Sequence, residues 1–555
     1  MTSDIEGPIS SVQQPRVRIT YDIETGGAIE KRELPFMIAV FADLYGDRLP
    51  GQYIPPLTDR TMQSVDRDSF NDFMKTVQPR LSLEGISIPG AEQGQADTPG
   101  ELRFNCLKDF EPLALVNAFP SLARQSAAAQ ADPLEGYVLG KQLSAVMHSP
   151  GFQQLEASWR GLHYLVSQAE TSAQLQIRVL NASRQELQQD LTQAAGIDQT
   201  RVFQLVYAAE YDTLGGTPYS LLVGDYAFGA GTEDVAFLEK ISAIAAAAHA
   251  PFISAASAGM FGLDRLADLV KPRSLGKIFE GAGMQGLLEF RNTEDSRYVA
   301  LTVPRMLLRQ PYGQYGASAE GVDFQESLAD SGKTPESRYF LWGNAAYALA
   351  ARIAQAMSRY GWPAAFSGIK DGLLDDAPVY CHPAESGAQA LAGPAEVYIT
   401  DKRADELRNL GFIPLCDIRG RAQAAFMGNS SAGRAKKYFS DDANHNARIS
   451  GALPYMLAAS RFAHYIKVIM RDKIGSFLTR GNVESYINTW ISNYVLLEDD
   501  APEDVKASFP LRAASVVVSD IPGEPGCYRA TIFLKPHFQL EELTTSIRLE
   551  AGLPG

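Results

Sequence analysis

The sequence predicts a mixed α/β fold that begins and ends in β-strands. Three observations predict it: a strictly alternating segment near the amino terminus, amphipathic helical stretches through the middle, and two strand-like runs around a Gly/Pro turn near the end.

From Arg16 to Glu24 the alternation is strict, with Val17, Ile19, Tyr21 and Ile23 on one face and Arg18, Thr20, Asp22 and Glu24 on the other. A Gly26-Gly27 turn follows, then an apolar run, Phe36–Leu44. Such a half-buried strand closes its own sheet or is lent to a neighbour. Phe152–Glu170 carries Leu155, Trp159, Leu162 and Leu165 at helical spacing. Glu233–Ala250 opens with acids, where the helix dipole favours them, and turns Ala-rich, which lets another element approach closely. Leu453–Phe477 puts Tyr455, Ala458, Phe462, Ile466 and Ile469 on one helical face. Ser460, His464, Lys467 and Arg471 lie opposite, as a basic face whose plain use is solvation. A partner contact is its alternative use, with Lys467 and Arg471 as the candidate interface residues. At the end, Ser515–Ile521 contains Val516-Val517-Val518, Pro522–Gly526 turns the chain, and Tyr528–Pro536 reads as the return strand. Leu543, Thr545, Ile547 and Leu549 alternate in a last extended segment.

With 555 residues, 45% hydrophobic and 21% charged, the chain has room for several cores and the composition of an ordinary globular protein. Glu84–Gly100, Gln125–Asp132 and Pro311–Glu336 read as loops or linkers, and the second separates a β-biased beginning from a helix-rich middle. The expected organisation is a first segment over 1–116, a linker or reduced helical region over 117–150, and a second segment over 151–555 whose last part, 510–555, is strand-rich. A net charge of −15 argues against nucleic acid as a partner. Cys106, Cys381, Cys416 and Cys527 are scattered without paired spacing, as in a reducing cytoplasm. No apolar leader and no membrane-length apolar run is present, so a cytoplasmic protein without membrane insertion is expected.

Catalytic constellations are missing. Ser331-Gly332-Lys333-Thr334 ends like a phosphate-binding loop, but Ser327 stands where the first glycine belongs. HExxH, GxSxG and a strand-borne GxGxxG are absent. His163, His249 and His464 fall on or at the end of predicted helices, where packing or capping is the plain use. Cys381-His382 is poorly spaced for one metal, and Glu294-Asp295 with Arg297 reads as a salt-bridged turn. No catalytic residue, metal or cofactor is expected.

From Phe152 onward the chain resembles the large sheath protein of type VI secretion. The resemblance runs through Gln153–Val166, His249–Ser257, Glu294–Tyr298 with Pro304-Arg305, Arg461–Tyr465, Arg471–Phe477 and Leu534–Glu541. Residues from Arg16 to about Pro112 resemble the small sheath protein, through Pro15–Asp22, Glu33–Phe36 and Asp109–Pro112. The chain thus looks like the two sheath proteins fused.

The resemblance implies a structural subunit, not an enzyme: a contractile sheath subunit or, as the alternative, a non-contracting sheath-like shell or assembly component of a contractile injection apparatus. Its fold would be a contractile-tail sheath fold with terminal strands exchanged between subunits, polymerised as six-fold rings around an inner-tube protein on a baseplate. Arg16–Glu24, Ser515–Ile521 and Tyr528–Pro536 are the candidate exchanged strands, with Val17, Ile19, Tyr21, Ile23, Val516, Val517, Val518, Tyr528, Ile532 and Leu534 as interface residues. One donated strand making about four to six backbone hydrogen bonds would contribute several kcal/mol. Only Asn117 to about Val146 separates the two matched parts, so the family's outer helical domain is expected to be reduced or absent. A recycling ATPase that engages that domain is then not expected to act in the usual way.

Overall fold

The run Phe36–Ala42 forms a strand without one exposed side chain, and the rest of the molecule is layered around it. A computed structural model describes residues 19–25, 28–49, 51–83, 100–119, 122–123, 126, 133–213, 215–271, 274–329, 335–363, 365–383, 389–436, 447, 451–472, 480–498, 509, 511–520, 528–536 and 547–553. Val17, the Gly26-Gly27 and Pro522–Gly526 turns, most of Glu84–Gly100 and Gln125–Asp132, Ser331–Thr334, Leu543 and Thr545 lie outside them.

The strands that matter are β1 (Tyr21–Thr25), β2 (Ala28–Arg32), β3 (Phe36–Ala42), β4 (Gln63–Val65), β5 (Leu175–Asn181), β6 (Tyr219–Phe228), β7 (Phe252–Ala256), β8 (Val299–Val303), β9 (Leu373–Leu374), β10 (Phe412–Asp417), β11 (Ala424–Phe426), β12 (Leu511–Asp520), β13 (Tyr528–Pro536) and β14 (Ile547–Leu553). The helices are α1 (Phe70–Val77), α2 (Pro133–Met147), α3 (Pro150–Gln168), α4 (Thr232–Ala248), α5 (Ala346–Tyr360), α6 (Leu453–Asp472) and α7 (Arg480–Ser492). The helical and strand periodicities read from the sequence therefore fall on α3, α4, α6, β12 and β13.

A nine-stranded sheet runs in the order β9-β11-β10-β8-β7-β6-β3-β5-β4. Its middle, from β10 to β5, is parallel, and β4, β11 and β9 join antiparallel at the margins. Parallel strands must be covered on both faces, and β3 shows how. Phe36, Ile38, Val40 and Ala42 enter one core, with Trp159 and Leu162 of α3 and Leu349 and Ile353 of α5. Met37, Ala39 and Phe41 enter the opposite core, with Leu238, Ile241 and Ala245 of α4. Helices α3 and α5 meet at Gly161, where a Cβ would stand 2.5 Å from the Tyr347 ring, so the close approach requires glycine.

Residues from both sides of the Gln125–Asp132 stretch share these cores. β3 lies between β5 and β6, which are more than a hundred residues downstream. α2, from the region read as linker or reduced helix, packs Leu139, Leu143, Val146 and Met147 into the first core.

A third core lies at the carboxy-terminal end. It is built from α6, α7 and the strands β12 and β13 of the antiparallel sheet β12-β13-β14, and it takes Ile19, Tyr21 and Leu34 from the amino terminus. β1 and β2 form a separate two-stranded hairpin, with Thr25 opposite Ala28.

Candidate assembly interface

Helix α6 decides how the carboxy-terminal unit is attached. An amphipathic helix normally keeps its polar face wet, yet Ser460, Arg461, His464, Lys467 and Arg471 are all buried. The expectation of a solvated or partner-facing basic face at Lys467 and Arg471 is therefore corrected: the face is turned into the molecule. Its donors find carbonyls left unpaired at the ends of other segments. Arg461 Nη2 donates to Leu34 O at 2.8 Å and its Nη1 to Pro35 O at 3.1 Å. His464 Nε2 meets Ala248 O at 3.2 Å, and Lys467 Nζ donates to Ala247 O at 2.9 Å, both at the carboxy end of α4. Arg471 Nη1 donates to Glu210 O at 2.9 Å and Gly216 O at 3.0 Å.

The electrostatics follow from this burial. Loss of water pulls the Lys467 ammonium down to about 7. The Tyr207 and Tyr211 rings, 4.9 and 4.8 Å away, and the negative end of α4 act in the opposite sense and favour the cation. Burial, and then the Arg461 charge, pull His464 down to about 3, so its ring is neutral near pH 7. His249 caps α4 in the left-handed conformation, φ 51°, and its Nδ1 lies 3.1 Å from the Tyr298 hydroxyl.

The same helix clamps the amino terminus. The Tyr465 hydroxyl donates to Ile19 O at 2.6 Å and accepts from Leu34 N–H at 2.8 Å, so one side chain holds both ends of the β1–β2 hairpin. From α7, Trp490 Nε1 donates to Thr20 O at 2.9 Å, and just beyond that helix the Tyr494 hydroxyl pairs with the Thr20 backbone at 2.9 and 3.0 Å. Sequence reasoning did not find this clamp. Trp490 and Tyr494, four residues apart, were its one visible signal, and nothing local says that their partner is at residue 20.

The candidate strand residues separate into three groups. Ile19, Tyr21, Val516, Val518, Ile532 and Leu534 are buried in the third core, whereas Val517 is 49% exposed on the outer face of β12. Ile23 pairs with Glu30 across the hairpin, and Tyr528 opens β13 opposite Asp520 and Leu553. β13 is the middle strand, with both edges taken by β12 and β14 of the same chain.

A second buried polar centre joins the end of α2 to α3 and to the segment that carries Arg309 and Glu326. Arg309 lies between Glu156 of α3, at 3.0 Å, and Glu326, at 2.8 Å. Arg160 approaches Glu156 at 2.7 Å, and His148, just after α2, meets Glu326 at 2.9 Å. Burial pushes the Glu326 carboxyl up, but the Arg309 charge and the hydrogen bonds from His148 and Arg309 outweigh it and hold the group at about 2. The Glu156 and Glu326 carboxylates are fully enclosed and paired with Arg309, the pattern of a structural lock rather than a reaction centre. Among the described residues no group of His, Cys, Asp and Glu is arranged to hold a metal, and no helix is long and apolar enough to cross a membrane. Glu294 and Arg297 pair at 3.5 Å within one turn, the salt-bridged use expected of them.

Comparison with known proteins gives this architecture its context. Residues 136–433 match the EvpB-type tail sheath N-terminal domain. The chain belongs to the type VI secretion tail-sheath family. Residues 442–553, which hold α6, α7 and the sheet β12-β13-β14, match the family's gpW/gp25-like tail sheath domain, and residues 9–140 match the VipA family of the same system. Small and large sheath segments are therefore fused in one polypeptide. Type VI secretion system sheath protein TssC1 of Pseudomonas aeruginosa is 43% identical over 425 residues, 75% of this chain and 84% of that protein. TssB1 of the same organism is 32% identical over 114 residues, 20% of this chain and 63% of that protein. Among solved structures, the contracted sheath complex of an extracellular contractile injection system is similar over 98% of both chains, at 9% identity and a TM-score of 0.37. The anti-feeding prophage baseplate is similar over 70% of this chain and 80% of its own, at 11% identity and a TM-score of 0.35. In this family the fused chain is a structural sheath subunit, and β3 is the small segment's strand inside the large segment's sheet.

Proposed function

We propose that copies of this chain polymerise in the cytoplasm around an inner tube, on a baseplate, and that contraction of the polymer drives the tube toward a target cell. The observation that carries this reading is β3, which makes the two sheath segments a single folded protomer. Fusion sets their ratio at one to one and raises the effective concentration of one half for the other.

Neighbouring copies are linked by strand addition. Among the described residues, the outer edges of the β1–β2 hairpin and of β14 have no strand beside them. Such edges are templates for another chain, and a strand of about five paired residues contributes several kcal/mol. Between the two segments, α2 lies against the body with four buried apolar side chains, which supports a reduced outer helical domain. Among the described residues no projecting helix pair is then offered to a recycling ATPase, and specific binding of such an ATPase to residues 117–150 would refute this part. Negative-stain electron microscopy tests the main reading: the full chain should form tubes, and a chain lacking residues 547–555 should not. Discrete particles from the full chain mixed with its inner-tube protein would overturn it.

A further inference from the structure

The carboxy-terminal sheet is closed on one side by side chains of a helix. Its order leaves outward backbone edges on β12 and β14. On β12 five of those outward groups, at Leu511, Val516 and Val518, are occupied. Val516 N–H donates to Asn488 Oδ1 at 2.9 Å, and Asn488 Nδ2 donates to Val516 O at 2.7 Å, so the carboxamide stands in for the peptide group of a neighbouring strand. Two residues on, Val518 N–H donates to Glu484 Oε2 at 2.9 Å. Near the start of the strand, Leu511 N–H donates to Tyr494 O at 3.0 Å and Leu511 O accepts from Leu496 N–H at 2.8 Å.

The spacing explains why a helix fits an edge that a strand would otherwise take. Asn488 and Glu484 are four residues apart on α7, about 6 Å along the helix axis. Successive outward groups on a strand are two residues apart, about 6.7 Å. Asn488 Nδ2 also donates to Glu484 O at 2.9 Å, which fixes the carboxamide in the orientation that serves both groups of Val516.

We propose that Asn488 and Glu484 close the outer edge of β12, so that a strand lent by a second copy of this chain enters the sheet only on the β14 side. The inference rests on the reading of the chain as a strand-exchanging sheath subunit. It makes Asn488 and Glu484 specificity-determining residues for assembly. A second copy is the occupant because, among the described residues, the strands β1, β2 and β14 near the chain ends each have an edge without a neighbouring strand, and all belong to this same chain.

The test compares the full chain with the double variant Asn488→Leu/Glu484→Leu, and with Asn488→Asp alone in case the double variant fails to fold. Asn488→Asp keeps the acceptor for Val516 N–H and sets a carboxylate against Val516 O. In the unassembled double variant, amide exchange at Val516 and Val518 should quicken roughly three- to tenfold, the loss of one hydrogen bond each. Under assembly conditions its tubes should become branched, laterally joined or clumped, and Asn488→Asp should do so to a lesser degree. Quickened exchange with tubes as straight, long and separate as those of the parent would overturn the proposal, and so would unchanged exchange. If the parent chain forms no tubes, the sheath reading fails and light scattering decides the inference separately. Self-association of the variant beside a monomeric parent supports the closed edge, and equal sizes refute it.

Discussion

Removing the Tyr465 hydroxyl should loosen the amino-terminal hairpin without disturbing the sheet beneath it. In Tyr465→Phe the ring remains, and with it the contacts to Tyr21, at 6.1 Å between centroids, and to Trp490, at 6.0 Å. What is lost is one donor to Ile19 O and one acceptor for Leu34 N–H, both buried. An orphaned buried backbone group costs about 1–3 kcal/mol, so the two together cost about 2–4 kcal/mol after partial relaxation. Local opening of the hairpin should then rise roughly thirtyfold to a thousandfold, at 1.4 kcal/mol per factor of ten. Hydrogen exchange by mass spectrometry on peptides spanning 19–35 of the unassembled chain reads this directly. It is preferable to global unfolding, because a chain of this size need not unfold in a single step. A change below threefold in those peptides would refute the clamp. An equal increase in peptides covering β3 would refute its local character.

Four further outcomes follow from the same contacts. Residues 133–555 expressed alone lack β3 and β4 and should be insoluble, while co-expression with residues 1–132 should give a soluble complex; a soluble, folded 133–555 would contradict the shared sheet. Arg309→Met removes the cation shared by buried Glu156 and Glu326, leaving only Arg160 beside the first and His148 beside the second, and should cost about 3–5 kcal/mol in denaturant unfolding, against a much smaller loss when both acids are also made neutral. Stability should fall on acidification, because burial holds His464 at about 3 and pairing with Arg309 holds Glu326 at about 2. For each, the unfolded chain takes up a proton that the folded chain refuses. The contributions are complete above about pH 6.5 for His464 and 4.5 for Glu326, and are lost as the pH falls through the folded values. A flat stability profile from pH 6.5 to 3 would refute this. Lys467→Met should be neutral or stabilising at pH 7, since it removes a buried ammonium and keeps the stem, and it should abolish the rise in stability between about pH 7 and 10.5 that the depressed lysine produces.

The exposure of Val517 between buried Val516 and Val518 shows which face of β12 is turned outward. β12 presents one face to α7 and the other to the outside, and its edge to two side chains of α7. Among the described residues, the amino-terminal hairpin and β14 present strand edges with no neighbouring strand, one towards each end of the chain. The strand addition proposed above would let a protomer shift against its neighbour while the nine-stranded sheet, enclosed by helices on both faces, stays rigid.

Local pattern was enough for the elements themselves. The alternation that includes Ile19 and Tyr21, the three-to-four spacing of Leu155, Trp159 and Leu162, and the valine run before the Gly/Pro turn each report a periodicity that belongs to a single segment. The long blocks shared with sheath proteins identified the family on the same local terms. Tertiary structure alone decided that Phe36–Ala42 is the strand between β5 and β6, because strand partners are chosen across more than a hundred residues by the cores on both faces. It also decided that Lys467 and Arg471 are interior. A polar face is satisfied by water or by carbonyls, and the carbonyls here belong to Ala247, Glu210 and Gly216, far back in the chain. The sequence of one helix contains its donors; only the folded chain contains their acceptors.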